Sequence, residues 1–297
     1  MPKPEQLYGP SSSILITGAS GHLGANLLRR LIADGKNPLR VLLREGSNNE
    51  AVEVLRREHP AGRELELVYG DLRDYPKVRA ATRDVEAIYH CAANVSTIEG
   101  NAAHKREIFG CNVLGTRNIL RAAGESGVER TVVTGSFSAV GRHDEAHRPA
   151  PETLPIYPFE PKLPYARTKE MVEHECLKAV AEGLDVVVAT SCAILGPADY
   201  KPSRMGRTLL DFGWGKLPAY IPGGFEFVAA RDICEGHVLA MRRGRSGQKY
   251  TISTQFMTVD DLLGLFERVT GQPRPALRLP PTVMAGIAEV SSFVLSN

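Results

Sequence analysis

Residues 14–24 read Ile-Leu-Ile-Thr-Gly-Ala-Ser-Gly-His-Leu-Gly, an apolar run that leads into a glycine-rich segment. Three apolar residues predict a short buried strand, a glycine-rich turn follows, and apolar residues at helical spacing then begin. In this pattern Gly18 permits the tight turn, Gly21 lets the backbone approach a pyrophosphate, and Gly24 lets strand and helix pack closely. The N-terminus of the helix offers unpaired N–H groups and a partial positive charge to phosphates. The stretch therefore predicts a dinucleotide-binding site.

Length and composition are those of a globular protein. The chain has 297 residues, of which 43% are hydrophobic and 24% are charged, and its net charge is +2. Because both signs of charge are interspersed, the balance gives no argument for binding nucleic acid or a membrane surface. The five cysteines are scattered without a C-x-x-C pair, which favours buried thiols in a reducing compartment over disulfides or zinc. With no signal peptide and no apolar run of membrane-spanning length, we expect a cytoplasmic protein without a metal site.

Short apolar strands alternate with amphipathic helices along the chain. Strands are predicted at Ile14–Ile16, Leu39–Arg44, Glu64–Val68, Ala87–Ala93, Arg130–Ser136, Asp185–Ser191 and Gln248–Ser253. Helices are predicted at Glu50–Glu58, Tyr75–Thr82, Ile108–Ala123, Tyr165–Val180, Arg231–Met241 and Thr258–Thr270. Such alternation predicts an α/β fold with a Rossmann-type, doubly wound parallel sheet. We expect residues 1–190 to form this domain, including a proline-rich loop at 142–164. Residues 191–297 would form a smaller α/β substrate lobe, with some chain crossing between the two.

A second motif combines a tyrosine and a lysine. Tyr165 and Lys169 stand four residues apart in a predicted helix, so both side chains share one helix face. A free phenol ionises at about pH 10, and a nearby ammonium stabilises the phenolate, as a general acid working near neutral pH requires. Ser136 ends a predicted strand and has a hydroxyl that could bond a substrate oxygen, with Thr134 and Ser138 as near competitors. Without further context, a tyrosine and a lysine at this spacing commonly lie on an exposed helix face, and a serine at a strand end commonly bonds its own backbone.

A polar residue interrupts the predicted helix Ile108–Ala123. Asn112 is a poor helix former, because its side chain competes for backbone hydrogen bonds. It either bonds the backbone and keeps the helix kinked, or it is simply an exposed polar residue.

These motifs, in this order, resemble those of the extended short-chain dehydrogenase/reductase family, the NAD-dependent epimerase/dehydratase family. The matching positions are Thr17–Gly24 for the phosphate-binding turn, Asp71 and Leu72 for the adenine contact, His90–Ala93 for the H-x-A-A motif, Asn112–Asn118 for the N-V-x-G-T-x-N segment, and Ser136, Tyr165 and Lys169 for the active site. The resemblance covers nearly the whole chain. Its C-terminal half looks most like the dihydroflavonol-reductase and 3β-hydroxysteroid-dehydrogenase-like branch.

The resemblance also implies a set of cofactor contacts. They would come from Gly18, Ser20, Gly21, His22, Leu23 and Gly24, from Arg44, Asp71 and Leu72, from Cys91, Ala92 and Ala93, from Tyr165 and Lys169, and from Ser191 and Ile194. One of these positions departs from the family pattern. The family often has R-P-x-x-x-x-G-P near the nicotinamide, whereas Ser191 replaces the proline here.

The end of the second strand decides between NAD and NADP. An acidic residue there bonds the ribose 2′-hydroxyl of NAD, whereas an arginine accommodates the 2′-phosphate of NADP. Arg44 stands at this point and is followed by Glu45, which could turn toward the ribose instead. We expect NADP(H) to be favoured over NAD(H).

The resemblance implies an oxidoreductase. We expect an NADP(H)-dependent ketoreductase or alcohol dehydrogenase in which Tyr165 protonates the carbonyl oxygen, Ser136 hydrogen-bonds it, and Lys169 stabilises the phenolate and holds the nicotinamide ribose. The alternative on the same fold is an NAD-dependent nucleotide-sugar epimerase. The acid pair of family dehydratases is missing after Ser136, where Phe137 and Ser138 follow, so dehydration is not expected. A more remote alternative is a non-enzymatic regulator that senses a dinucleotide.

Several side chains fall in segments expected near the substrate cleft. They are Ser96, Phe137, Tyr157, Tyr200, Phe212, Trp214 and Phe225. The aromatic rings suit an apolar or ring-bearing ketone better than a diphosphate-bearing sugar, although any one of them could be plain core. The closing segment Pro280–Asn297 predicts an amphipathic helix that packs on the smaller lobe. Relatives are often dimers through their long helices, so the resemblance also implies a homodimer.

Overall fold

A computed structural model describes residues 13–35, 37–140, 150–154 and 163–280. The strands are β1 Ile14–Thr17, β2 Leu39–Leu43, β3 Glu66–Tyr69, β4 Ala87–His90, β5 Arg130–Ser136, β6 Val186–Ser191, β7 Ala193–Leu195, β8 Ala219–Tyr220, β9 Gly224–Ala229, β10 Lys249–Ile252, β11 Gln255–Thr258 and β12 Leu277–Arg278. The helices are α1 His22–Asp34, α2 Glu50–Glu58, α3 Tyr75–Ala81, α4 Ala102–Phe109, α5 Gly115–Ser126, α6 Pro164–Ala181, α7 Arg204–Gly213, α8 Ala230–Arg243 and α9 Val259–Thr270. Within the described ranges no helix is long and apolar enough to cross a membrane.

The main sheet has seven parallel strands in the order β3-β2-β1-β4-β5-β6-β10. This arrangement confirms the doubly wound α/β fold. The strand order reverses between β1 and β4, and ligands of such sheets bind at the carboxyl ends of the strands beside this reversal. The glycine-rich turn after β1 and the loop after β4 therefore flank the expected crevice.

Helices cover both faces of the sheet. On one face α1 and α8 pack on strand residues including Ile16, Val132 and Val187, which are fully buried. On the other face, α3 and α5 enclose Leu15 and Ile88. Next to them α6 packs over β5 and β6. Burying both faces explains why the strands read as apolar runs rather than as an alternating pattern.

Most predicted ends lie within two residues of the observed ones, and two predicted elements differ by more. β4 ends at His90 rather than at residue 93, because residues 91–93 leave the sheet to cross the glycine-rich turn. The predicted helix Ile108–Ala123 is part of a longer helical stretch, α4 and α5, joined by a π-helical turn at Gly110–Leu114. A π turn widens the helix locally and is frequent at functional sites.

The later part of the chain contributes to two regions. α7, α9 and the small sheet β11-β9-β7 lie beyond the main sheet, with Phe212 buried against Phe266 at a ring-centroid distance of 5.5 Å. In contrast, β10 pairs with β6 in the main sheet, and α8 packs beside α1. A division after residue 190 remains a proposal, in which the chain crosses from the smaller lobe back to the main sheet with α8 and β10. The predicted helix Pro280–Asn297 lies almost entirely outside the described residues.

Candidate active site

The glycine-rich turn packs so closely against neighbouring backbone that side chains at two of its glycines would clash. Gly18 has φ +77°, and a Cβ atom placed on it would lie 2.6 Å from the backbone N of Ala92. A Cβ on Gly24 would lie 2.2 Å from the Gly18 carbonyl oxygen. At Gly21 the nearest atom would be 3.4 Å away, so that side of the turn is open. Close contacts on two sides and space on the third fit a backbone that receives a pyrophosphate.

The start of α1 can accept an anion. The first N–H groups of a helix have no acceptor within the helix, and no side chain in the described part of the chain caps α1. His22 donates from Nε2 to the carbonyl oxygens of Gly196 and Pro197, at 3.2 Å and 3.1 Å. Asn26 donates to the Pro197 oxygen at 2.9 Å. The loop after β7 is thus fastened to the predicted phosphate site, a contact that the sequence did not reveal.

The three predicted catalytic residues come from β5 and α6. Ser136 is the last residue of β5 and is 5% exposed. Tyr165 and Lys169 lie on the first turns of α6, which begins with Pro164, a residue favoured at that position because its missing N–H would be unpaired anyway. Lys169 is 4% exposed and donates from Nζ to the carbonyl oxygen of Thr134, at 2.9 Å. The ammonium group therefore lies over the carboxyl end of the strand that presents Ser136.

The Ser136 hydroxyl is turned toward its own loop. Its oxygen accepts a hydrogen bond from the Ser138 backbone N–H at 3.3 Å and lies 2.8 Å from the Ser138 hydroxyl oxygen. The hydroxyls of Ser136 and Ser138 are thus hydrogen-bonded to each other. Phe137 between them is 49% exposed.

The π turn connects the long helices to the catalytic helix through Asn112. Its amide donates to the Thr168 hydroxyl at 3.0 Å, and its oxygen accepts from the Asn94 backbone N–H at 2.7 Å. The Thr168 hydroxyl in turn donates to the Tyr165 carbonyl at 2.8 Å. Asn112 is 1% exposed, so the first of the two readings of this residue, a side chain bonded to backbone, is confirmed.

His90 lies in a buried chain of hydrogen bonds under the crevice. Its Nδ1 accepts from the Thr17 hydroxyl at 2.7 Å, and its Nε2 donates to the Thr116 hydroxyl at 3.0 Å. This tautomer follows because Thr116 gives its own proton to the Asn112 carbonyl, at 2.6 Å. Burial, with the nearby Lys169 charge, lowers the pKa of His90 to about 3, so the ring is neutral at neutral pH.

A second buried histidine, which the sequence analysis did not single out, lies below Lys169. His237 of α8 donates from Nδ1 to the Ile233 carbonyl at 2.8 Å, and its Nε2 accepts from the Thr134 hydroxyl at 2.9 Å. Burial lowers the pKa of His237 to about 4, and the charge of Lys169 acts in the same direction. Thr134 thus holds Lys169 through its carbonyl oxygen and His237 through its hydroxyl.

The adenosine end of the predicted site carries several charges. Arg44 directly follows β2 and is exposed, and within the described chain no carboxylate forms an ion pair with it. The Glu45 carboxylate accepts from Lys77 Nζ at 3.1 Å. Asp71 accepts two hydrogen bonds from the Arg73 guanidinium, at 2.8 Å and 2.6 Å. These bonds hold the pKa of Asp71 below its usual range.

The remaining predicted cofactor residues occupy different environments. Leu23 and Leu72 are buried in the core, so only their backbone is placed to meet a cofactor. Cys91, Ala92 and Ala93 form the loop over Gly18, and burial raises the pKa of the Cys91 thiol to about 11. Three further residues are partly buried: Ser20 in the glycine-rich turn, Ser191 at the end of β6 and Ile194 in β7.

The predicted substrate contacts lie in different environments in the structure. Ser96 is 7% exposed and its hydroxyl bonds His104 Nε2 at 2.8 Å, a contact with the helix that follows its loop. Phe212 belongs to the core, while Phe225 is 45% exposed beside Phe227. Trp214 is 56% exposed with the Lys216 ammonium 4.9 Å from its ring centroid, and Tyr200 is half-buried. Tyr157 lies outside the described residues.

A cavity of 370 Å³ lies elsewhere on the molecule. It is lined by α6, by residues at and before the amino-terminal ends of β6 and β10, and by residues 152–154. None of the predicted site residues lines it. Within the described ranges no cluster of His, Cys, Asp or Glu side chains could hold a metal ion.

Fold and site together define a dinucleotide-dependent enzyme of the Rossmann type. A model of the NAD dependent epimerase/dehydratase family matches residues 14–253, and the chain belongs to this family. It is therefore an NAD(P)-dependent enzyme of the extended short-chain dehydrogenase/reductase group, as the sequence motifs indicated.

Relatives of known name lie within the same group. The chain is 42% identical to sterol demethylase protein B of Methylococcus capsulatus, over 92% of this chain and 79% of the relative. It is 31% identical to a putative dihydroflavonol 4-reductase of Synechocystis, over 95% of this chain and 79% of the relative. The crystal structure of gox2253 is similar with a TM-score of 0.83 and 30% identity, covering 95% of this chain and 82% of that one.

Proposed function

We propose that this protein is an NADP(H)-dependent ketoreductase or alcohol dehydrogenase that acts on a ring-bearing, largely apolar substrate. The placement of Lys169 carries the proposal. Its buried ammonium is fixed to the Thr134 carbonyl, two residues before Ser136 and one helical turn after Tyr165. One strand end and one helix start thus supply a hydroxyl, a phenol and a cation at the carboxyl edge of the sheet.

Each of these residues has a distinct task. Lys169 uses one of its three N–H donors on Thr134, which leaves two for ribose hydroxyls, and its charge stabilises a phenolate at Tyr165. Tyr165 donates its proton to the substrate oxygen as negative charge develops there. Ser136 donates a hydrogen bond to the same oxygen while its own oxygen keeps the Ser138 N–H. A bound nicotinamide supplies the hydride.

The buried histidines leave acid–base chemistry to the tyrosine. His90 and His237 have pKa values of about 3 and about 4, so both rings are neutral near neutral pH and neither is a general acid there. Both rings are also fully engaged in hydrogen bonds. They therefore fix the strand ends and the cation rather than exchange protons with substrate.

Charge at the adenosine end supports NADP(H) as the cofactor. Arg44 is exposed at the end of β2, where an arginine accommodates a 2′-phosphate. The names of two relatives, a sterol demethylase protein and a dihydroflavonol reductase, support a ring-bearing substrate. Exposed Phe137, Trp214 and Phe225 would give such a substrate apolar surface.

The decisive experiment measures NADPH consumption with a panel of cyclic ketones for the wild type and Tyr165→Phe. We expect the phenylalanine variant to lose about 10²- to 10⁴-fold in turnover, the usual contribution of a general acid, while binding NADPH normally. Tyr250→Phe, on the far edge strand β10, is the matched control and should keep wild-type turnover. Full turnover by Tyr165→Phe would refute the mechanism. A cofactor that co-purifies without exchange, together with isomerisation of a nucleotide sugar, would instead establish an epimerase.

A further inference from the structure

Among the residues that the structure describes, the carboxylates around the end of β2 pair with Lys77 and Arg73 rather than with Arg44. Lys77 donates to Glu45 at 3.1 Å, and Arg73 holds Asp71 with two hydrogen bonds. Glu45, which follows Arg44 in sequence, and Asp71, which the Arg44 charge affects, therefore each have another cation as their partner. The Arg44 charge contributes to the lowered pKa of Asp71, although the guanidinium that pairs with this carboxylate is that of Arg73.

The position of Lys77 is determined by the backbone beside it. Lys77 lies in the first turn of α3, and a Cβ atom on Gly70 would approach the Lys77 Cβ to 2.9 Å. The side chain thus runs across Gly70, at the end of β3, toward the residue after Arg44. Glu45 is the acidic residue that would otherwise be available to the ribose, because an acid at the end of β2 bonds the 2′-hydroxyl of NAD.

We propose that Lys77 is a specificity-determining residue that favours NADP(H) by occupying the carboxylate of Glu45. The inference rests on the proposed preference for NADP(H) and assigns the selection to a pair rather than to Arg44 alone. While Lys77 holds Glu45, the carboxylate neither repels a 2′-phosphate nor accepts a hydrogen bond from a 2′-hydroxyl. Once Lys77 is removed, Glu45 does both, so the two cofactors respond in opposite directions.

The test is a cycle of three variants titrated with NADPH and with NADH. Lys77→Met keeps the aliphatic stem on Gly70 and removes the charge. We expect its NADPH-to-NADH affinity ratio to fall by about tenfold. The freed Glu45 carboxylate would repel the 2′-phosphate of NADPH and accept a hydrogen bond from the 2′-hydroxyl of NADH. Glu45→Gln should keep or raise the wild-type ratio. The double variant Lys77→Met/Glu45→Gln should recover most of what Lys77→Met loses.

A cation on the same helix provides the control. Arg79 is 66% exposed and pairs with Glu125 at 3.1 Å, away from Glu45, so Arg79→Met should leave the ratio unchanged. The effect of Lys77→Met should also shrink as salt is raised, because exposed charges are screened.

The possible results separate the two proposals. A wild type that prefers NADPH, with a Lys77→Met ratio equal to the wild type, would overturn the role of Lys77 alone. A double variant as impaired as Lys77→Met would overturn it too, because Lys77 would then contact the phosphate directly. A wild type that prefers NADH would overturn both the cofactor assignment and this role, while the Tyr165→Phe experiment would still decide the ketoreductase chemistry.

Discussion

Two neutral histidines flank the cation of the site, and their protonation is coupled to folding. His90 accepts a proton in the unfolded chain near the ordinary value of 6.5, whereas its pKa in the folded protein is about 3. A group of this kind stabilises the fold fully above its unfolded pKa. It loses that contribution as the pH falls toward the folded pKa, because the unfolded state then binds more protons. The window for His90 therefore runs from about pH 6.5 downward.

We expect the free energy of unfolding of the wild type to fall between about pH 7 and about pH 5, and His90→Gln to make this slope shallower by about 1 kcal/mol per pH unit. Glutamine offers a donor and an acceptor to the threonines around His90 but does not titrate. Urea unfolding at both pH values measures the slope. His174→Gln, at an exposed position on α6, is the control and should keep the wild-type slope. An unchanged slope in His90→Gln would show that the buried ring is not the proton-linked group.

In the turn between β1 and α1, one glycine is required for packing and another is predicted to approach the cofactor. Gly24→Ala would push a methyl group to 2.2 Å from the Gly18 carbonyl, whereas Gly21→Ala meets its nearest atom at 3.4 Å. We expect Gly24→Ala to lose about 2 kcal/mol of stability, even though alanine is the better helix former by about 1 kcal/mol. Gly21→Ala should stay within about 1 kcal/mol of the wild type and bind NADPH at least about tenfold more weakly, because backbone there approaches the pyrophosphate.

Chemical denaturation and NADPH titration of the two glycine variants test this separation. Unimpaired binding by Gly21→Ala would mean that the pyrophosphate lies on another side of the turn. Wild-type stability of Gly24→Ala would contradict the close packing of β1 and α1.

Regular elements were predictable where hydrophobic periodicity is strong, and irregular ones were not. β5 was predicted with both ends correct, because all of its residues are buried on both faces. The π turn has no hydropathy signature of its own. It is stabilised by Asn112, whose partners Asn94 and Thr168 lie 18 and 56 residues away. A sequence pattern identified the asparagine but could not identify those partners.

Side-chain contacts between residues distant in sequence are the features of the molecule that the sequence could not predict. Ser136, Tyr165 and Lys169 were predicted from motif spacing, but the contact between Thr134 and His237 joins residues 103 positions apart. Ser96 was expected near substrate because it follows β4, but its hydrogen bond to His104, on the next helix, was not predicted. Residues that bind each other across the fold leave no local signal, so their roles emerge only from the three-dimensional contacts.

Contacts between residues more than 170 positions apart hold the loop after β7 against the start of α1, beside the predicted cofactor site. His22 and Asn26, both on α1, donate to the carbonyls of Gly196 and Pro197. The fastened loop includes Ala198, a non-glycine residue at φ +62°, a conformation that costs free energy unless the surroundings hold it. The loop therefore depends on these donors to stay closed over the start of α1.

We expect the variant His22→Phe/Asn26→Ala to release NADPH about 30-fold faster than the wild type, since it loses two donor side chains and each contributes about 1 kcal/mol to the closed loop. Turnover at saturating cofactor should not fall, because neither side chain approaches Ser136, Tyr165 or Lys169. Stopped-flow displacement of NADPH measures the release rate. Thr258→Ala removes the capping hydroxyl of α9 and should cost about 1 kcal/mol of stability without changing release. If the double variant released NADPH at the wild-type rate, the loop would close through other contacts, and the bonds from α1 would serve only to join the two parts of the chain.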